Sequence, residues 1–415
     1  VSTDDAVSAD DAVSIDDAVS LPAVGPLAGV RILDLTSVVM GPLATQILGD
    51  LGADVITVEA AQGDIARIMG AGPRPDLSGT ALNLLRNKRN IDLDIKAPAG
   101  HDALMRIAAT CDVVVTNLRP GPAARAGVSY EDIRAVRPDV VYCQAHGFPS
   151  DGPRAAEPAY DDIIQSASGV ADAARRTTGA PSLAPTILMD KVCGLTIAYA
   201  VSAALFARER TGLGEHIEVP MVDTAIAFML VEHGAGAIPC PPLAPAGYGR
   251  ILTPERRPAQ TADGWIGVLC YSREHYDTLF AAGGRHDLLG DERYATGPAR
   301  IANSTFLYRE VAAVLRTGTT ERWLAFCREH SIPATAVADL DDLVDALPEA
   351  EHPITGRYKT IPHPVRFARR PASVRRHAPL VGQHTEEILR EVGLTGSEIA
   401  GLAADGITGG RTLPA

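Results

Sequence analysis

None of the six cysteines (Cys111, Cys143, Cys193, Cys240, Cys270 and Cys327) forms a Cys-x-x-Cys pair. Scattered cysteines in a chain this long read as reduced, mostly buried thiols and supply no zinc site. The eleven histidines show no His-Glu-x-x-His or comparable ligand spacing, so no metal is expected. No uninterrupted apolar run approaches the ~18–20 residues of a membrane helix. The N-terminus is acidic where a signal peptide is basic. A cytoplasmic location with no membrane partner is therefore the expectation. Three catalytic signatures are also missing. Gly41, Gly49 and Gly52 lack the Gly-x-Gly-x-x-Gly spacing of a nicotinamide or flavin site. There is no Gly-x-x-x-x-Gly-Lys-[Ser/Thr] phosphate loop. No Gly-x-Ser-x-Gly elbow precedes a helix, which weakens an α/β-hydrolase reading.

What is present is a globular composition. The chain has 415 residues, 46% hydrophobic and 21% charged, which is too long for one ordinary core and points to two domains. A net charge of −13 argues against nucleic-acid binding. Nearly half of that charge lies in a period-six repeat carrying Asp4, Asp5, Asp10, Asp11, Asp16 and Asp17. With little apolar surface to bury, residues 1–21 read as an acidic disordered tail.

The folded part opens with a β-rich run at 30–36, an amphipathic stretch at 43–51 and a second strand at 54–59. That is the strand–helix–strand unit of a parallel α/β sheet. Strands at 90–95, 112–117 and 140–145 continue the pattern, with helices at 100–110 and 130–136 between them. The order reads as a doubly wound, Rossmann-like large domain over residues 22–220. A Pro/Gly-rich linker or functional loop follows within 221–259. Residues 260–335 read as a smaller α+β domain, and 336–415 as a C-terminal return to the first domain, with a helix starting near Gly382.

One carboxylate stands out. Asp190 follows the apolar run Thr186-Ile-Leu-Met189 and precedes Gly194 and a small-residue helix over 195–208. An unpaired buried carboxylate costs several kcal/mol, so such groups are paired, neutralised or used. By its own sequence context Asp190 suits either a helix N-cap or a reactive group.

Several motifs recur in a fixed order. They are Gly29-Val-Arg-Ile-Leu-Asp-Leu-Thr36 with Gly41-Pro42, Leu51-Gly-Ala-Asp-Val-Ile56, Asn87-Lys-Arg-Asn-Ile-Asp-Leu-Asp94 and Asp112-Val-Val-Val-Thr-Asn-Leu-Arg-Pro-Gly121. Pro158-Ala-Tyr-Asp161 with Ser168-Gly169, Asp190 with Gly194, Ala262-Asp-Gly-Trp265 and Gly382-Gln-His-Thr-Glu-Glu387 follow. In this set, from about Pro26 to Glu391, the chain resembles the family III CoA-transferases, which include formyl-CoA transferase, carnitine CoA-transferases and α-methylacyl-CoA racemases. The resemblance implies an interlocked homodimer, each chain with a Rossmann-like large domain and a small domain. It implies acyl-CoA and carboxylic acid substrates, with coenzyme A as co-substrate and no permanently bound cofactor.

It also implies roles for individual residues. The aspartate matching Asp190 is the nucleophile that forms a mixed anhydride and then an aspartyl thioester with CoA. Asn87, Lys88, Arg89, Asn117 and Arg119 are expected to contact CoA, as cations suit its phosphates. Arg67, with Gly63 and Asp64, matches another CoA-contacting stretch. Tyr160 and Asp161 stand where the racemase branch has His-Asp. A tyrosine with a pKa of about 10 is a poor base at neutral pH, which favours transfer over racemisation. Val38-Val39-Met40 replaces the glutamine of some transferases of small dicarboxylates and suggests a less polar acyl pocket. Gly247-Tyr-Gly249 is the nearest match to a glycine loop that shields intermediates. Arg250, Arg256 and Arg257 lie near it, within reach of an acceptor carboxylate. The alternatives are an acyl-CoA racemase or isomerase on the same fold, or a CoA-binding protein without activity.

Overall fold

The computed structural model describes residues 25–409; the acidic repeat and the last six residues lie outside them. The first unit runs β1 (Arg31–Leu35), α1 (Met40–Asp50), β2 (Asp54–Glu59), α2 (Gly79–Leu84), β3 (Lys88–Asp92), α3 (Pro98–Ala109) and β4 (Val113–Thr116). It continues with α4 (Pro120–Arg125), α5 (Tyr130–Val136), β5 (Val141–His146), α6 (Asp161–Ala167), α7 (Val170–Thr178), α8 (Leu188–Thr211), β6 (Glu215–Pro220) and α9 (Met221–His233). The six strands form one sheet in the order β3-β2-β1-β4-β5-β6, all pairs parallel. The α/β reading of the sequence is thus met, and the strand order turns back between β1 and β4. Ligands of such sheets collect at that turning point, outside the strands' carboxyl ends.

Alternation along the strands builds a core on each face. Ile32, Val55, Val113, Val115, Val141 and Cys143 face α1 and α8, meeting Ala44, Leu48, Cys193, Ile197 and Val201. Leu33, Ile56, Ile91, Val114 and Tyr142 face the other way, toward Leu104, Ile107 and Ile133. Helices α15 (Thr385–Glu391) and α16 (Gly396–Ala404) close this second face with Ile388, Leu389 and Leu402.

Three elements differ from the sequence reading, each for a physical reason. Strand β3 starts at Lys88, two residues early, because residues 373–384 line its outer edge and satisfy its backbone. Asn87 Oδ1 accepts from the Arg375 and Arg376 amides, and the His384 amide donates to the Asn90 carbonyl. Strand β6 was not expected as a strand. It is an edge strand with mostly exposed side chains, so its Glu-His-Ile-Glu-Val-Pro carries little apolar signal. Helix α8 starts at Leu188, not 195, and so includes Asp190. It is also the one described helix long and apolar enough to cross a membrane by length and composition, with a mean hydropathy of 1.4. Half of that stretch is buried against α1 and the sheet, as in a core helix.

A separate core lies between residues 259 and 332. An antiparallel sheet of β7 (Ala259–Gln260), β8 (Trp265–Val268) and β9 (Ala334–Ala336) packs with α10 (Arg273–Ala282), α11 (Gly297–Ala302), α12 (Ser304–Leu315) and α13 (Thr320–Glu329). Ile266, Leu279, Phe280, Tyr294, Leu315 and Trp323 are among its fully buried side chains. The chain returns to the first unit through α14 (Leu340–Asp345) and the hairpin β10 (Glu349–His352) and β11 (Gly356–Lys359).

Candidate active site

Asp190 sits in the first turn of α8, 7% exposed, but it does not cap that helix. The capping acceptor is Asp161, 29 residues earlier. Its Oδ1 receives the Met189 amide at 2.6 Å and the Asp190 amide at 3.1 Å. Its Oδ2 receives Gln165 Nε2 at 2.6 Å. Asp161 therefore discharges the capping role and leaves the Asp190 carboxylate free. The Met40 backbone amide, at the start of α1, donates to Asp190. Burial is the main force on this carboxyl and the nearby Asp161 charge adds to it, together pushing its pKa up to about 6 against the Met40 amide. At neutral pH it is ionised yet poorly solvated.

The approach of α8 to α1 explains Gly194. A Cβ there would stand 2.9 Å from the Met40 carbonyl oxygen, so any side chain would push the helices apart. Val38, in the turn between β1 and α1, has φ 72°, a genuine outlier for a β-branched residue. Its amide is held by both oxygens of Asp64, at 3.1 and 3.2 Å. Backbone strain of this kind persists where the surroundings over-determine it.

Asp190 opens into a cavity of about 240 Å³ lined by Val38, Met40, Leu118, Ala159 and Met221 on its apolar side. Asn117, Arg119, His146 and Tyr160 supply the polar side. Asn117 fixes the β1–α1 turn by a paired bond, Oδ1 to the Ser37 amide at 3.1 Å and Nδ2 to its carbonyl at 2.9 Å. Arg119 donates to the Ala156 carbonyl. A larger cavity of about 530 Å³ adjoins, sharing Ser37, Asn117 and Leu118, and extends past the ends of β2 and β3. Glu59, Gly63, Asp64 and Lys96 line it. Together the two cavities span the turning point of the sheet.

Of the expected site residues, Asp190, Tyr160, Asn117 and Arg119 meet at the first cavity, with Asp161 directly behind Asp190. Four others do not reach either cavity. Lys88 is 0% exposed, its ammonium bound to Asp34 at 3.0 Å, Thr45 Oγ1 and the Pro42 carbonyl. Arg89 is clamped by Asp54, Glu387 and Glu391. Asn87 binds Asp50 and the Ser373 carbonyl. Arg67 forms a two-pronged pair with Glu59, 2.7 Å on each side, and donates to the Pro379 carbonyl. Such matched cations offer no free charge to a phosphate. Asn87, Lys88 and Arg89 open β3 at its amino end, whereas both cavities lie at the carboxyl ends.

Two residues were missed. Lys96 lines the larger cavity just beyond β3, and among the described residues it has no carboxylate in ion-pair contact. The rule that ligands gather beyond strand ends would have selected it. His146, the last residue of β5, is buried with Nε2 3.1 Å from Glu218. Burial pulls its pKa down, opposed by the Glu218 charge. No sequence motif singled it out.

Residues 27–385 match the family described as CoA-transferase family III. The chain is 32% identical over 383 residues to the Mycobacterium tuberculosis protein named "Probable fatty acyl-CoA transferase Rv3272", covering 88% of this chain and 97% of that protein. It is 31% identical over 386 residues to succinyl-CoA:glutarate CoA-transferase of Homo sapiens, covering 89% and 86%. The crystal structure of Rv3272 in an orthorhombic form matches with a TM-score of 0.73 at 30% identity, over 88% of this chain and 99% of that one.

Proposed function

Because this chain belongs to CoA-transferase family III, an enzyme family with CoA as co-substrate, we propose that it moves CoA from an acyl-CoA to a free carboxylic acid through a covalent bond to Asp190. One observation carries the reading: a buried carboxylate, relieved of capping by Asp161, faces a cavity that continues into a second one past the strand ends. The Asp190 carboxylate attacks the thioester carbonyl and CoA thiolate departs, leaving an aspartyl acyl anhydride. The thiolate then attacks the aspartyl carbonyl and expels the donor acid, which leaves an aspartyl thioester. The acceptor acid reverses the sequence. Each carbonyl attack conserves the activation of the thioester, and a poorly solvated carboxylate is the stronger nucleophile. The Met40 amide at the start of α1 is placed to hold the carboxylate in line.

Lys96 and Arg119 are the cations available to CoA phosphates, with Asn117 between them where the cavities join. Val38, Met40 and Met221 suit an apolar acyl chain, in keeping with the fatty acyl name of the mycobacterial relative. The homodimer belongs to the same proposal. Its support is an apolar face exposed on α8 and α9, with Tyr199, Phe206, Phe228 and Val231 each about half exposed or more.

The test is mass spectrometry of the intact protein after exposure to a panel of acyl-CoAs and a hydroxylamine quench. A hydroxamate at Asp190, absent from Asp190→Ala, is the expected result; no adduct with any donor would sink the covalent reading. α-Proton exchange is the second reading, favoured by His146 lining the same cavity as the Asp190 carboxyl, as a second proton carrier. Deuterium entering the α-carbon of an acyl-CoA would support it instead.

A further inference from the structure

Several arginines in and beside the second core are matched to carboxylates. Arg285 pairs with Asp287 and Glu310, Arg293 with Asp291, Arg273 with Asp277 and Arg257 with Glu255. Arg250 and Arg300 have no carboxylate in ion-pair contact among the described residues; Arg256, Arg316, Arg322 and Arg328 share that lack, but Arg250 and Arg300 are brought together. Arg250, just after the Gly247-Tyr-Gly249 turn, is half-buried, with Nε 3.3 Å from Tyr308 Oη and its guanidinium 5.5 Å above the Tyr271 ring. Arg300, on α11, uses one nitrogen on the Tyr294 carbonyl at 3.0 Å. Both line one cavity of about 110 Å³.

The rest of that lining fits an anion with a short carbon body. Tyr276 is 6% exposed and borders the cavity, and no described residue pairs with its hydroxyl. Ser304, buried at the start of the twelve-residue helix α12, lies on the wall and brings the positive end of that helix with it. Two guanidiniums, tyrosine hydroxyls and a helix start can all donate, while no Asp or Glu among the described residues lines the cavity. A site so one-sided in donors is short of an acceptor. The volume, roughly that of four waters, admits a short acid and is too small for CoA.

We propose that this cavity binds a short aliphatic carboxylate, its oxygens shared by Arg250 and Arg300 and its carbons against the Tyr271 and Tyr276 rings. The site is separate from the Asp190 cavity and rests on the transfer reading only for the choice of carboxylic acid as the ligand class. It is tested without turnover, by calorimetric titration of the full chain with succinate and with propionate.

Wild-type protein and Asp190→Ala are expected to bind either acid alike. Arg250→Gln and Arg300→Gln should each weaken binding about tenfold or more, the loss of a charge-assisted hydrogen bond. Tyr276→Phe should weaken it about threefold while melting at the wild-type temperature, so that binding is read in a folded protein. Binding unchanged in the arginine variants would overturn the proposal. So would binding lost in Asp190→Ala, or inorganic phosphate binding as tightly as succinate. Failure of the hydroxamate experiment would leave these outcomes untouched, so the two claims fail separately.

Discussion

At the amino-terminal ends of β2 and β3, charge is matched to charge: Arg89 holds Asp54, Glu387 and Glu391, and Arg86 holds Asp50 at 2.6 Å. At the carboxyl-terminal ends of the same sheet Glu59 is matched to Arg67, but other charges stand apart. Lys96 and Arg119 lack carboxylate partners among the described residues, and Asp190 is buried beside Asp161 with no cation to offset it. Similar side chains serve opposite ends. Pairing at one edge knits residues 373–391 onto the sheet, whereas the unmatched groups at the other are ready for a charged ligand. The contrast predicts that substitutions at the paired edge reduce stability and those at the open edge reduce activity.

The sharpest break is expected at Asp190. Asp190→Asn should lower transfer by more than about 10³-fold, since a lost nucleophile is replaced by nothing comparable. The same substitution should stabilise the fold. Folding raises this carboxyl's pKa from 3.8 to about 6, so the folded protein holds the proton more tightly than the unfolded chain. The resulting destabilisation is absent below the lower value, grows as pH rises between the two, and is complete above the higher, at roughly 3 kcal/mol. Thermal melts of wild type and Asp190→Asn should therefore converge at pH 4 and diverge by pH 8, with the variant higher. Transfer by the wild type should fall as pH drops through about 6. Identical melts at pH 8 would mean that the carboxylate is not held against its solvation.

How far the site was legible follows the range of each interaction. Asp190 and Gly194 lie four residues apart, and an acid after an apolar run is visible locally. The strands showed as short apolar, β-rich runs at 30–36 and 112–117, because both faces of the sheet are covered. Asp161 as cap of α8 acts across 29 residues, which spacing does not reveal. The basic run at 87–89 was placed before the strand, but β3 starts early, under bonds from residues near 376 and 384. A strand starting at 90 leaves Lys88 and Arg89 in a loop; starting at 88, they belong to the buried sheet. Lys96, a lone lysine past the strand, then went unnoticed.

The next test compares the two edges directly. Lys88→Met removes the partner of Asp34 where both side chains are 0% exposed. Breaking such a pair costs about 3–5 kcal/mol, and the Thr36, Thr45 and Thr57 hydroxyls left on Asp34 replace only part of it. Denaturant unfolding should show that loss, with the CoA-donor KM of the folded fraction changed little. Lys96→Ala should do the reverse: KM for the donor up about tenfold, unfolding unchanged. A Lys88→Met protein of wild-type stability, or a Lys96→Ala protein of wild-type KM, would dissolve the distinction between the edges.

The smallest effect is expected at Tyr160, on the open edge but on the outer wall of the cavity, 67% exposed. It caps no helix through its side chain, and it lines the same cavity as Asp190 without being enclosed itself. If transfer through Asp190 is the reaction, Tyr160 contributes at most a neutral hydrogen bond, and Tyr160→Phe should change kcat/KM by less than about threefold. If proton exchange is the reaction, the carriers lining the cavity are Asp190 and His146, and the phenol is again a bystander. A loss of a hundredfold would thus contradict both readings and place the hydroxyl on the reacting atoms. With Tyr160 silent, deuterium exchange in His146→Asn decides between the two. Retained transfer with no exchange in either protein leaves the cavity to Asp190 alone.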